Sequence, residues 1–164
     1  MKTIEIKKGS IIQRKGDLNT KIYRVEKGML RSFSIDNKGK EHIFMFAPEG
    51  WIVADGADVN LPAELYIDAI EDSIIHVFEK ELRNRTLDSK PLLNRISVLQ
   101  KRIIMFLQKR IIMLMSSSAI ERYEHFKETY PHILQRVPQK MIASYLGITP
   151  EALSKVKGDK LREK

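Results

Sequence analysis

The chain has 164 residues, of which 43% are apolar and 30% charged, and its formal charge is +8. That length suits one compact domain or two small ones, and the composition fits a folded protein rather than a disordered one. Without cysteine there are no disulfides, thiolate zinc sites, iron–sulfur clusters or cysteine nucleophile.

The longest apolar runs, Ile103–Leu107 and Ile111–Met115, have five residues, too few to span a bilayer. Met1-Lys2-Thr3-Ile4-Glu5 lacks the hydrophobic core of a signal peptide, so the expected location is cytoplasmic, with no membrane partner. The charge is uneven. Residues 1–86 hold 14 basic and 14 acidic side chains, whereas residues 87–164 hold 15 and 7 and carry the whole excess. Such asymmetry suggests a neutral module joined to one that faces a polyanion. By itself it suits nucleic acid and a merely solvated basic face equally.

From Thr3 to Phe78 the chain alternates short β-branched and aromatic segments with turn residues. Strands are expected at Ile4–Ile6, Ile11-Ile12, Ile22–Val25, Met29–Ile35, Glu41–Phe46, Tyr66–Ile70 and Ser73–Phe78. Asp36-Asn37-Lys38-Gly39-Lys40 separates two alternating runs and reads as a hairpin loop. Alternation puts Ile43 and Met45 on one face of the returning strand, with His42, Phe44 and Phe46 on the other. Strands at this spacing, with no helical period, indicate an antiparallel sandwich or barrel. Gly9, Gly16, Gly28 and Gly39 each serve a turn. Taken together, Ile4-x-Ile-Lys-Lys-Gly-x-Ile-Ile-x-x-Lys-Gly-Asp followed by Ile22-Tyr-x-Val-x-x-Gly-x-Leu-Arg resembles the opening of the cyclic-nucleotide-binding jelly roll of Crp/Fnr regulators. The resemblance begins almost at Met1, where relatives carry a short helical segment first. The chain is therefore expected to be trimmed relative to them, or to lack the packing that segment provides.

In cyclic-nucleotide binders a Gly-Glu pair in a short turn, and an Arg about ten residues later, hold the phosphate and ribose. The matching turn here resembles Ala47-Pro48-Glu49-Gly50-Trp51-Ile52-Val53. Alignment on Asp68-Ala69 sets Trp51 beside Gly50 where the Glu belongs, and Ala63 (or Pro62 or Glu64) where the Arg belongs. No Lys or Arg occurs between Lys40 and Lys80. A cyclic monophosphate buried there would lack a counter-charge, so binding of cAMP or cGMP is not expected. Two readings of the altered pocket stay open. One is a filled core with Trp51 packed in it. The other is an unknown apolar or cationic small-molecule effector lined by Gly50, Trp51, Ala63, Glu64 and Tyr66. His42 and His76 sit in strand patterns without spaced partners, and neither a metal nor a cofactor is expected.

After Pro91 the pattern becomes helical. Leu92, Ile96, Leu99, Ile103, Phe106 and Met113 follow a four-three spacing, Arg110 interrupts it, and Leu93, Leu107 and Leu114 widen the stripe. Asp88-Ser89 can cap a helix of about 25 residues that ends near Ser116-Ser117-Ser118. A stripe this wide needs two partners: the chain's own β-domain and, most simply, the same helix of a second copy in a homodimer through residues 91–115. Six basic residues and no acid in 89–118 also suit a membrane-surface helix, but no anchoring signal or tryptophan accompanies them.

Ala119–Tyr130 forms a second amphipathic segment, with Ile120, Tyr123, Phe126 and Tyr130 on one side and Pro131 after it. The segment from Arg136 to Lys157 then meets the steric needs of a helix-turn-helix. Ala143 is small at the crossing, and Gly147, four residues on, turns the chain. Ile142, Leu146, Ile148, Leu153 and Val156 make the shared core, and Thr149, Pro150 and Glu151 open the second helix. Val137-Pro-Gln-Lys-x-Ile-Ala-Ser-Tyr-Leu-Gly-Ile-Thr-Pro-Glu-x-Leu-Ser resembles a variant of the Crp/Fnr DNA-binding motif. The order of jelly roll, long helix, linker helix and helix-turn-helix matches that family over essentially the whole chain.

The resemblance implies an α+β chain with three parts. Residues 1–86 form an antiparallel β jelly roll (a double-stranded β-helix), 87–118 a dimerisation helix and 119–164 a helix-turn-helix. It further implies a bacterial transcription regulator that binds a palindromic operator in double-stranded DNA. Glu151 and Lys155 match the family's base-reading pair, Ser154 reaches the same groove, and Pro150 replaces an Arg often found there. Gln139, Lys140, Lys157 and Lys160 would meet phosphates. Glu151 can instead simply complement the helix dipole. Lys157-Gly158-Asp159 is expected to end the recognition helix early. Only seven residues follow Lys157, too few for the β-wing of many relatives. A rival reading keeps the ligand-sensing module and makes the helix-turn-helix vestigial. No catalytic constellation is present in the sequence, so an enzyme is not expected.

Overall fold

Turn chemistry and strand alternation lay out the N-terminal half. The computed structural model describes residues 2–56, 60–80 and 90–162, with side chains except those of 90–100, 102 and 160–162. It divides into two units, Met1–Asp88 and Ser89–Lys164. The first contains β1 (Lys2–Ile6), β2 (Ile11–Gln13), β3 (Lys21–Lys27), β4 (Leu30–Ile35), β5 (Glu41–Ala47), β6 (Ile52–Ala54), β7 (Tyr66–Ala69) and β8 (Ser73–Glu79). They form two antiparallel four-stranded sheets in the orders β1-β8-β3-β6 and β2-β7-β4-β5, the connectivity of a jelly roll. β6, three residues long, is not among the strands expected from the sequence.

Between the sheets lies a core of Tyr23, Val25, Leu30, Ala47, Val53, Ile67, Ala69 and Ile75, against which Ile4, Ile6, Ile12, Met45, Trp51 and Val77 pack. The β4–β5 loop is held by Asp36, whose carboxylate accepts the N–H groups of Lys38 and Lys40 at 2.8 and 3.0 Å. Gly39 turns it at φ 77°. The β4–β5 register corrects the expected alternation. Ser32 pairs with Met45 but Phe33 with Ile43, so Phe44 is a bulged extra residue. Met45 joins the inter-sheet core, whereas Ile43 shares the other face with Phe33, Arg31 and Phe46.

The second unit contains α1 (Lys90–Ser116), α2 (Ala119–Thr129), α3 (Gln139–Leu146) and α4 (Pro150–Arg162). Pro91 falls in the first turn of α1, as its fixed φ favours, while the proposed cap Asp88-Ser89 lies outside the described residues. α2 begins with a capping box: Ser118 Oγ accepts the Glu121 N–H at 3.3 Å, and the Glu121 carboxylate accepts the Ser118 N–H at 2.7 Å. Tyr123, Phe126 and Tyr130 are buried as the stripe predicts, but Ile120 is exposed. No helix among the described residues is long and apolar enough to cross a membrane.

Candidate nucleic-acid interface and effector pocket

The helix-turn-helix is built from local backbone requirements. α3 stops at Gly147, φ 66°, whose left-handed turn lets the Ile148 N–H reach the Ala143 carbonyl at 3.1 Å. Thr149 then opens α4, its hydroxyl accepting the Ala152 N–H at 3.2 Å with Pro150 at the first helical position. Ile142, Ala143, Tyr145, Leu146, Leu153 and Val156 are buried between the helices, and Ile148 is half-buried. A side chain at Gly147 would meet Leu114 Cδ2 at 3.3 Å, so the turn sits close against the end of α1.

Glu151, Ser154 and Lys155 are exposed and, at spacings of three and four, share one face of α4 beside exposed Pro150. The Glu151 carboxyl is held below the usual carboxylate range by its own backbone N–H and by the Thr149 hydroxyl. Ser154 donates its hydroxyl to the Pro150 carbonyl at 3.0 Å, which leaves its oxygen as an acceptor. Gln139 and Lys140 are exposed on the first turn of α3. Lys157 is half-buried and turned off the Glu151–Lys155 face, and the side chain of Lys160 lies outside the described residues. Gly158 does not end the helix: α4 runs through it to Arg162, contrary to the sequence expectation. Packing of Leu153 and Val156 on α3 outweighs the local penalty of one glycine.

Two arginines tie α3 to α1, of which the sequence marks Arg110 but not Arg122. Arg122 donates to the carbonyls of Leu114 and Ser117 at 2.8 and 2.9 Å, and to that of Leu146 at 3.1 Å. It thus satisfies the open C-terminal ends of two helices at once. Arg110 donates to the Tyr145 carbonyl at 3.0 Å and lies 3.7 Å over the Tyr145 ring, which meets Phe126 and Tyr130 edge-on. Arg110 is therefore turned to its own chain, on the side of Tyr145. Among residues with described side chains, the Phe106–Arg110–Met113 stripe is the face turned to its own chain. Ile104, Ile111, Ile112 and Met115 are each more than half exposed on the other side. Ile104, Gln108, Ile111 and Met115 keep the four-three-four spacing of a helix–helix seam.

In the jelly roll the five residues assigned to an effector pocket do not gather around one space. The turn before β6 is tied to its own sheet. Glu49 accepts the Gly28 N–H at 3.0 Å, Gly50 donates to the Val25 carbonyl at 2.9 Å, and Trp51 packs on the inter-sheet core. Ala63 is buried, its backbone bonded to Gly16 and Asp17. Glu64 is exposed, 3.6 Å from Lys15. Tyr66 stacks on Phe33 with ring centres 5.3 Å apart. Since Ile67 and Ala69 face the core, alternation along β7 sends Tyr66 to the opposite face from Trp51.

That opposite face holds Arg31. Its guanidinium grips both Asp68 oxygens at 2.8 and 2.9 Å and Glu41 at 2.6 Å. Arg31 is thus committed to carboxylates and turned away from the inter-sheet core. On the inner face, Gln13 and Ser32 flank Ile67 across β2, β7 and β4. Gln13 Oε1 and Ser32 Oγ are buried without a hydrogen-bond partner among the described residues. The interior therefore offers neutral polar atoms. Neither of these residues is marked by any sequence motif.

Residues 3–89 match the family model described as Cyclic nucleotide-binding domain. Over 93% of its length the chain is 24% identical to the Anaerobic regulatory protein of Aggregatibacter actinomycetemcomitans, and it spans 64% of that protein. Its fold superposes on FixK2 from Bradyrhizobium japonicum with a TM-score of 0.86 at 18% identity, covering 99% of this chain and 85% of that one. A CRP/FNR-family transcriptional regulator of Thermus thermophilus gives a TM-score of 0.63 at 18% identity, covering 99% and 87%.

Proposed function

The chain belongs to the cyclic nucleotide-binding domain family, among its Crp/Fnr regulators, and from that premise we propose a homodimeric transcription regulator that reads a palindromic duplex and does not respond to cAMP. The observation that carries the reading is the exposed Glu151–Ser154–Lys155 face of α4. It projects from a helix-turn-helix whose turn, cap and crossing are sterically complete. In the major groove Lys155 donates to guanine O6 or N7 and Glu151 accepts from cytosine N4. Gln139 and Lys140, at the start of α3, meet phosphates and fix the register. The basic excess of residues 87–164 supplies the attraction. The uninterrupted α4 favours this reading over a vestigial motif.

A second copy covers the exposed Ile104–Ile111–Met115 face of α1, with Gln108 as the polar position that sets register. Insensitivity to cAMP follows from electrostatics: Arg31 is held by Asp68 and Glu41, and no other basic residue lies near the Glu49–Trp51 turn in the sequence between Lys40 and Lys80. The reading is tested by two substitutions. Lys155→Ala should relax preference at one base position by about 1–3 kcal/mol, whereas Lys140→Ala should weaken all sequences alike and lower the salt slope by about one. Identical behaviour of the two variants would refute the division into readout and positioning. Micromolar cAMP affinity by calorimetry would refute the electrostatic argument.

A further inference from the structure

Glycine at 158 has a cost that the fold does not return. It occupies the ninth of thirteen positions in α4, where glycine is less favourable than alanine and makes the helix harder to keep. Its backbone is not among those with positive φ, and a Cβ built on it meets nothing within 4 Å among the described residues. Among the described residues, neither conformation nor packing therefore asks for a glycine there. Its place on the helix is informative. Gly158 follows Glu151, Ser154 and Lys155 by seven, four and three residues, so it lies half-buried on their side of the helix, about two turns from the start of α4.

We propose that Gly158 is where the α4 backbone lies directly against a sugar–phosphate strand of bound DNA, in a contact that any side chain would hold apart. This rests on the DNA reading above. With the first turn of α4 among the base edges, the helix passes the groove wall as it leaves, and a glycine lets main chain and phosphate strand close up. The contact is indifferent to sequence. It positions the helix rather than reading a base.

The test compares the full chain with Gly158→Ala and Gly158→Leu, both good helix formers of different size. Thermal unfolding is measured beside fluorescence-anisotropy titrations of an operator duplex selected on the wild-type chain and of a mixed-sequence duplex. Both variants should melt at higher temperature than the wild type. Both should bind more weakly, roughly tenfold for Ala and further for Leu, with the same factor on the two duplexes. Variants that gain stability and keep wild-type affinity overturn the proposal. A loss confined to the operator also overturns it, because that marks a base-edge contact. If the wild-type chain binds neither duplex, the DNA reading itself fails, and this result is distinct from the other two.

Discussion

Arg31→Met removes the one buried guanidinium described in the jelly roll, and the cost follows from what it leaves behind. The Arg31 side chain is 6% exposed and that of Asp68 11%, while Glu41 is 45% exposed. The Asp68 pair therefore dominates, and Glu41 adds little through solvent screening. Burial opposes the charge on Arg31, but its bonds to Asp68 and Glu41 outweigh burial and raise its pKa above the ordinary value. Methionine fills comparable volume but leaves the Asp68 carboxylate buried and unpaired. Removing one member of a buried pair costs about 3–5 kcal/mol, a large share of the roughly 5–15 kcal/mol that holds a domain together. Taking both charges away, in Arg31→Met with Asp68→Leu, should restore most of that stability, since an apolar replacement of a whole pair is close to neutral. Arg31→Lys should fall between, because it keeps the charge but loses the two-pronged grip and the stacking 4.1 Å over Phe33. Urea unfolding followed by the fluorescence of Trp51, the chain's single tryptophan, reads each variant. A loss below about 1 kcal/mol for Arg31→Met, or a double variant no better than the single, would refute a buried and coupled pair.

Three further outcomes are expected. Arg110→Leu should destabilise the second unit by about 2 kcal/mol, since the lost Tyr145 hydrogen bond and ring contact exceed the relief of a buried charge. Sedimentation should show its self-association unchanged, and tighter self-association would return Arg110 to an inter-subunit seam. Gly147→Ala should cost about 1–2 kcal/mol for a left-handed alanine, with Leu114 Cδ2 at 3.3 Å adding to the strain; circular dichroism melts would show it, and an unchanged melt would contradict the turn geometry. The Asp36 carboxyl is lowered to about 2 by the His42 ring and the N–H groups of Lys40 and Lys38. Its support for the β4–β5 loop is thus complete above the unfolded carboxylate range and is lost as pH falls through about 2. An NMR titration of Asp36 with a midpoint near the ordinary carboxylate value would oppose this.

Backbone-determined features were legible from residues alone. Gly147, Thr149 and Pro150 each have one conformational use, and Asp36 with Gly39 likewise specified the hairpin loop. Features settled by distant neighbours were not. Phe44 becomes a bulge only through its pairing with β4, and without that slip the alternation of Glu41–Phe46 would have held. Gly158 looks like a stop in isolation, yet Leu153 and Val156 anchor the helix around it. α1 is apolar on two sides, and nothing local tells which side turns inward; Tyr145, 35 residues away, decides it by receiving Arg110. The placing of Tyr66 apart from Trp51 has a simpler reason. The side-chain chemistry of Trp51, Glu64 and Tyr66 suits a ligand, while the period of two that puts Ile67 and Ala69 in the core already sends Tyr66 outward.

The central claim is that a pair of these chains reads a two-fold symmetric duplex through α4. Selection of bound fragments from a random duplex pool at two salt concentrations tests it most directly. The account predicts an enriched palindrome with half-sites about 10 bp apart, retained at the higher salt. No enrichment, or binding that vanishes with salt regardless of sequence, would contradict it.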